Sequence, residues 1–236
     1  LPVQFLVHQA LGAGFEDVAA GVARVPAATG PALTVETGKA DWPQWRGRHD
    51  DNTVTFPIRR TWNGGLKKVW EVNFLCGPGS DFTWATPAVQ GNHLVVTGRA
   101  AGCDQVFCLD PQTGALRWMA EYDAPARDNY GPGPRATPAI AGVRVVTLGR
   151  TGVVQCRHVR TGELLWARNL DADGGKEPTW GHSGSPLIVG ERVYLLGGMN
   201  AAAICYDLNT GAVVWKSAGG KGAYAAPVLA SFGGVA

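Results

Sequence analysis

With 236 residues, 45% of them hydrophobic and 17% charged, the chain has enough apolar material for one large folded unit or two small ones, and a disordered chain is excluded. The formal net charge is +2 with no basic block, which argues against a nucleic-acid partner. No apolar run reaches the roughly 18 residues that a membrane span needs.

Taken in chain order, residues 1–40 show Ala, Gly, Val and Thr without a sustained period and are expected to form a leader, a linker or a loosely packed arm. Leu1–Leu11 is mildly apolar but lacks a charged start, so it makes a poor signal peptide. The texture changes at Asp41-Trp42-Pro43-Gln44-Trp45-Arg46-Gly47, where two tryptophans beside Pro and Gly predict a packed turn. Asp50, Asp51 and Asn52 follow and suit a solvated turn better than a cation site. Leu66–Val72 is expected to be a strand, the outer one of a unit whose earlier strands precede it.

From residue 86 onward one unit is written three times, in four short strands each. The first strand follows a proline: Thr86-Pro87-Ala88-Val89, Thr137-Pro138-Ala139-Ile140, Ser185-Pro186-Leu187-Ile188, with an incomplete Ala226-Pro227-Val228-Leu229. The second is apolar (Leu94–Thr97, Val143–Leu148, Val193–Leu196). The third runs into a shared motif (Gln105–Asp110, Val153–His158, Ala203–Asp207), and the fourth ends on tryptophan (Ala115–Trp118, Glu163–Trp166, Ala212–Trp215). The motif is Cys108-x-Asp110-x-x-Thr113-Gly114-x-x-x-Trp118, then Cys156-x-His158-x-x-Thr161-Gly162-x-x-x-Trp166, then Cys205-x-Asp207-x-x-Thr210-Gly211-x-x-x-Trp215. Trp118 stands 48 residues from Trp70 and 48 from Trp166, and Trp215 a further 49 on. Four strands in a repeat of that length are the pattern of a β-propeller blade. A β-sandwich is the competitor, but a sandwich has no need of equal units.

Each part of the motif has a physical task. The Thr-Gly pair closes a tight turn, with Gly supplying a backbone shape that other residues resist. Asp and Thr side chains can bond that turn's backbone. The indole is expected in the seam between blades, where its burial contributes about 2–3 kcal/mol, and a small Cys leaves it room. His158 departs from Asp, so its turn is expected to be tied less firmly.

The five cysteines are an odd number. Cys108, Cys156 and Cys205 share one slot in three blades and are expected to be small core residues too far apart to bridge. Cys76 and Cys103 lie outside that slot; the sequence leaves open whether they pair, and a bridge would imply an oxidising compartment.

With Cys in place of the first Ala, the motif resembles the tryptophan-docking motif of quinoprotein alcohol dehydrogenases. The wider pattern, which includes residues 41–47, Gly133-Pro134-Arg135-Ala136-Thr137-Pro138 and Trp180-Gly181-His182-Ser183-Gly184-Ser185-Pro186, resembles bacterial pyrroloquinoline-quinone-like repeat proteins. That group includes exported proteins and a lipoprotein of outer-membrane β-barrel assembly. The resemblance spans 41–236 and implies an all-β propeller of four-stranded blades, here about 86–119, 137–167 and 185–216, plus partial ones. The ring is expected to be incomplete, with open blade edges that favour self-association. It also implies a periplasmic or otherwise exported location.

Chemistry on such a fold is sought in the loops before the first strands, at one mouth of the channel: Cys76–Ala85, Arg127–Ala136, Glu177–Gly184 and Gly219–Ala225. They carry Asp81, Trp84, Arg127, Asp128, Tyr130, Arg135, Trp180, His182, Lys221 and Tyr224, with Arg99 and Arg150 beside them. Trp84, Arg135, Trp180, His182 and Tyr224 are the candidate ligand-binding residues. The quinoprotein resemblance would add pyrroloquinoline quinone with calcium, a tryptophan floor (Trp84 or Trp180), an arginine donor (Arg135) and often a disulfide between adjacent cysteines. No adjacent cysteines occur, and only Asp81 and Asp128 offer themselves to calcium. The five histidines have no metal-ligand spacing, and no catalytic residue or metal site can be assigned. The expected function is a non-catalytic propeller scaffold binding a protein, peptide or small ligand at the mouth, with no cofactor. The alternative is part of a pyrroloquinoline-quinone-dependent alcohol or sugar dehydrogenase.

Overall fold

Among the described residues, apolar runs broken by Gly turns produce twelve strands in three sheets. The computed structural model describes residues 41–54, 61, 64–79, 81–125, 130–222 and 224–230. Blade 1 holds β1 (Ala88–Gln90), β2 (His93–Ala100), β3 (Cys103–Leu109) and β4 (Leu116–Asp123). Blade 2 holds β5 (Ala139–Ala141), β6 (Arg144–Leu148), β7 (Val153–His158) and β8 (Leu164–Asn169). Blade 3 holds β9 (Leu187–Val189), β10 (Arg192–Leu195), β11 (Ile204–Asp207) and β12 (Val213–Lys216). Every pairing is antiparallel and follows chain order, and β1, β5 and β9 are innermost and pack side by side. Among the described residues no helix is long and apolar enough to cross a membrane.

The three motif cysteines are fully buried, each directly opposite its own tryptophan: Cys108 faces Trp118, Cys156 faces Trp166 and Cys205 faces Trp215. A register shift follows each cysteine, so the bulge repeats with the motif. The tryptophans hold the seams. Trp118 Nε1 donates to the Val159 carbonyl (2.8 Å), Trp166 Nε1 to Leu208 (2.9 Å) and Trp70 Nε1 to Pro111 (3.0 Å), each acceptor lying in the Thr-Gly turn of the following blade. The indole lies on the glycine of that same turn. Gly114, Gly162 and Gly211 have φ of 71°, 74° and 72°, and a Cβ on them would stand 2.6, 2.8 and 2.7 Å from an indole carbon. Glycine is therefore required twice, for the turn and for the tryptophan above it.

The Asp tie is also present. Asp110 Oδ1 accepts the N–H groups of Gln112 (2.8 Å) and Thr113 (3.0 Å), and Asp207 Oδ1 those of Asn209 and Thr210 (both 3.0 Å). His158 makes no such bond among the described residues.

The structure amends several expectations. The fourth strands do not end on tryptophan: β4 runs on to Asp123 and β8 to Asn169, because their continuation pairs with the start of β3 and β7. Residues 66–72 form no strand with a described partner, although Trp70 docks as an outer-strand tryptophan would. Residues 226–229 form none either. Cys76 and Cys103 do not pair, since all five cysteines are free thiols. Cys76 bridges Arg99 from one side of β2, while Cys103 pairs with Ala100 from the other. Two strand spacings separate them, about 9–10 Å, beyond the reach of a disulfide. Leu1–Ala40, expected as an arm, lies outside the described residues.

The 41–47 segment is more than a turn. Trp42 exchanges backbone bonds with Val89 (2.9 and 2.8 Å), and the Pro43 carbonyl accepts from Ile140 N (2.7 Å). It therefore lies along the inner edges of β1 and β5. Asp41 anchors it by accepting from Gly91 N (2.9 Å) and Arg48 (2.9 Å).

Candidate functional site

The loops before the inner strands are drawn together by small residues and hydroxyls. Thr86 Oγ1 and Thr137 Oγ1 stand 2.7 Å apart, and Thr137 N donates to Ser185 Oγ (2.9 Å), so the residues preceding three prolines link three blades. Trp84 N donates to the Pro134 carbonyl (2.9 Å). At Gly133 a Cβ would fall 1.6 Å from the Phe82 carbonyl oxygen, and at Gly184 one would fall 2.5 Å from that of Ala225. Consecutive loops thus touch backbone to backbone.

What these loops present outward is aromatic. Trp84 is 60% exposed, Trp180 51% and Tyr224 39%, with Phe82 and Tyr130 exposed beside them. Trp84 Nε1 donates to the Tyr130 carbonyl (3.2 Å), and Trp180 N to the Tyr224 hydroxyl (3.3 Å), with the Trp180 and Tyr224 rings 5.3 Å apart. Each pair joins one loop to the next. Arg135 is half-buried, its guanidinium donating to the carbonyls of Gly131 (3.1 Å) and Gly133 (3.4 Å) of its own loop.

His182 stands apart from the other four candidates. It is only 2% exposed, and its Nε2 lies 2.9 Å from Asp171 Oδ1, so it ties the two ends of the β8–β9 connection together and offers no surface to a ligand. Asp171 also accepts Glu177 N (3.1 Å). Asp171 escaped sequence reasoning because it lies 11 residues from His182 in an irregular loop. Phe82 escaped it as well, although it stands two residues before Trp84 in the same loop.

Beneath the aromatic rim lie ion pairs. Arg99 is buried between Asp104 (2.8 Å) and Asp81 (3.4 Å), and Arg150, at the matching position of blade 2, meets Glu177 (2.9 Å). Burial pushes the Asp104 carboxyl up to about 6, against the pull of Arg99. The Tyr122 hydroxyl, raised well above its usual range by burial, points at Asp104. Asp81 is therefore already engaged by Arg99 and by Ala101 N (3.1 Å). Among the described residues no group of three His, Cys, Asp or Glu side chains could hold a metal ion. Arg127 and Asp128 lie outside the described residues.

Four-stranded antiparallel sheets set side by side, inner strands in contact and seams filled by tryptophan, define a partial β-propeller of the pyrroloquinoline-quinone-like repeat kind. Residues 32–230 match the family described as Outer membrane protein assembly factor BamB, and the chain belongs to that family. Among solved structures, the quinohemoprotein alcohol dehydrogenase of Comamonas testosteroni aligns over 75% of this chain and 27% of its own, with 20% identity and a TM-score of 0.53. BamB of Moraxella catarrhalis aligns over 55% of this chain and 35% of its own, with 21% identity and a TM-score of 0.39. The chain thus spans about a third or less of either structure. No curated protein matches the sequence.

Proposed function

We propose that the chain is part of a non-catalytic, exported propeller that binds a protein, peptide or small ligand at the aromatic mouth. The observation that carries this reading is the set of exposed aromatics at the mouth, of which the Trp84 indole is held by its bond to the Tyr130 carbonyl, and the Tyr224 ring by its hydroxyl's bond from Trp180 N and its contact with the Trp180 ring. Large exposed aromatics that are already ordered lose little side-chain entropy on binding, which is the property of an interface anchor. Membership of a family described by outer membrane protein assembly supports a protein partner and an exported location.

A quinone cofactor with calcium, which the fold family also implies, does not fit the residues that would hold it. Trp84 and Trp180 stand at the rim with exposed faces. The Arg135 guanidinium is spent on backbone carbonyls, and Asp81 on Arg99.

The test is site-specific photo-crosslinking from positions 84 and 180 in cells, with position 118, buried in a seam, as the control. Discrete adducts from 84 and 180 and none from 118 are expected. An absence of adducts at the mouth, together with dye reduction by the purified chain on adding pyrroloquinoline quinone, calcium and an alcohol, would overturn this reading in favour of a dehydrogenase.

A further inference from the structure

Arg99 ties the mouth to the interior of blade 1. Its backbone is clasped by the chain that arrives at the mouth: Arg99 N donates to the Leu75 carbonyl (3.1 Å), and Gly77 N donates to the Arg99 carbonyl (2.8 Å). Its side chain starts beneath the point where two mouth loops cross, since a Cβ on Gly133 would fall 1.6 Å from the Phe82 carbonyl oxygen and 3.6 Å from the Arg99 Cβ. The guanidinium, itself enclosed, then stands between two carboxylates on different elements. Nη1 bonds Asp104 Oδ1 of β3 at 2.8 Å, while Nε lies 3.4 Å from Asp81 Oδ1, within ion-pair reach but without a hydrogen bond among the described residues.

The charges around this arginine do not balance. One guanidinium faces two acids, and the Asp104 side chain is only 1% exposed. The Tyr122 hydroxyl of β4 points at Asp104 Oδ2 (3.5 Å), and burial together with the Asp104 charge keeps that hydroxyl protonated. Blade 2 closes the cluster: a Cβ at Gly149 would stand 2.4 Å from the Tyr122 hydroxyl and 3.1 Å from Asp104 Oδ2. From the same turn Arg150 acts on Asp104 while bonded to Glu177, and Arg157 of β7 acts on Tyr122. Two acids sharing one cation in an enclosed site take up a proton more readily than either would alone. Asp104 is the acid that takes it, because burial raises its carboxyl to about 6 against the pull of Arg99. Asp81 is 17% exposed and also holds the Ala101 N–H (3.1 Å).

We propose that Arg99 is a proton-operated latch on the mouth loop, held inward against β3 while Asp104 is ionised and passed to Asp81 when Asp104 binds a proton from solvent. The neutral Asp104 pulls less on Nη1, the charge of the guanidinium is left to Asp81, and Nε closes the 3.4 Å gap to a charge-assisted hydrogen bond. Asp81 directly precedes Phe82 and stands three residues before Trp84, so the two exposed rings of this loop follow it. The latch is a property of the free chain and does not depend on what the mouth binds.

The test is NMR of the full chain, without ligand, from about pH 8 down to about pH 4.5, a range that brackets the Asp104 step and keeps ordinary carboxylates mostly ionised. The Asp104 carboxyl carbon should titrate with a midpoint near 6. The Arg99 Nε–H should exchange more slowly below that midpoint, and the Phe82 amide and Trp84 indole N–H should shift with the same midpoint. Asp81→Asn should abolish the shifts at Phe82 and Trp84 and leave a step at Asp104, moved to lower pH because one negative charge has gone from beside it. Asp104→Asn should remove every one of these steps. A mouth loop that stays still while Asp104 titrates, a loop step that survives in Asp81→Asn or Asp104→Asn, or an Asp104 carboxyl that does not titrate in this range would each overturn the proposal. The Asp81→Asn arm decides the matter even if Asp104→Asn fails to fold.

Discussion

Trp118 and Trp215 carry the same motif position in two blades, but only one is docked. Trp118 is 4% exposed, stacks on Gly162 and donates to the Val159 carbonyl, whereas Trp215 is 45% exposed, meets Tyr194 at 6.1 Å between ring centroids and has no docking turn among the described residues. Removing the indole of a buried tryptophan costs about 3–5 kcal/mol. Leaving the Val159 carbonyl without its donor adds about 1 kcal/mol or more if the cavity stays dry. Trp118→Ala should therefore cost about 4–6 kcal/mol, and Trp215→Ala, with roughly half its surface already in water, about 1–2 kcal/mol. In a domain of this size these losses correspond to falls in melting temperature of about 8–24 °C and about 2–8 °C. The assay is urea unfolding followed by circular dichroism, with the slope of the transition checked so that a change in midpoint reports stability. Equal costs for the two substitutions would refute the reasoning, since they would show that the indole stabilises its own sheet and not the seam.

Three further outcomes follow from the same geometry. Gly162→Ala places a Cβ 2.8 Å from the Trp118 ring at a φ of 74°, whereas Gly142→Ala, at a φ of 58° with nothing within 4 Å, bears only backbone strain. Thermal melts should show the first losing at least about 2 kcal/mol more than the second. His93, held at about 4 in the folded chain against 6.5 when unfolded, stays neutral while the unfolded state takes up a proton. Its share of stability is thus intact above pH 6.5 and declines as the pH falls from there through 4, by up to about 3 kcal/mol, and His93→Gln should flatten that limb of a pH-stability profile. Thiol titration with a chromogenic disulfide should label at most Cys76 and Cys103 in the folded chain and all five in denaturant. Burial shields Cys108 and Cys156 and pushes both thiols up to about 12.

The fold was legible wherever the chain repeats itself, because each repeated residue solves the same local problem. Gly114, Gly162 and Gly211 need a left-handed turn, the Asp side chains bond that turn, and the tryptophans fill the seam between blades; all three follow from residue type and spacing, whereas the seating of each indole on the next blade's glycine does not. The need for a small Cys beside the indole was legible for the same reason, as was the weaker tie at His158. What could not be read lies in contacts between segments that do not repeat. Nothing in Asp41-Trp42-Pro43 announces that its backbone will run along β1 and β5, since those bonds are made by groups common to every residue. Nothing in the spacing of His182 and Asp171 announces their pairing, which burial enforces once the β8–β9 connection has folded back on itself. The candidate mouth sits between these cases. Its tryptophans and tyrosines were found by counting back from each proline, but the difference between Trp180, half in solvent, and His182, two residues away and enclosed, depends on Gly152 and Gly198 packing against the imidazole from other turns. The repeat therefore locates the loops, while the departures from it, His158 among them, mark where this chain differs chemically from one blade to the next.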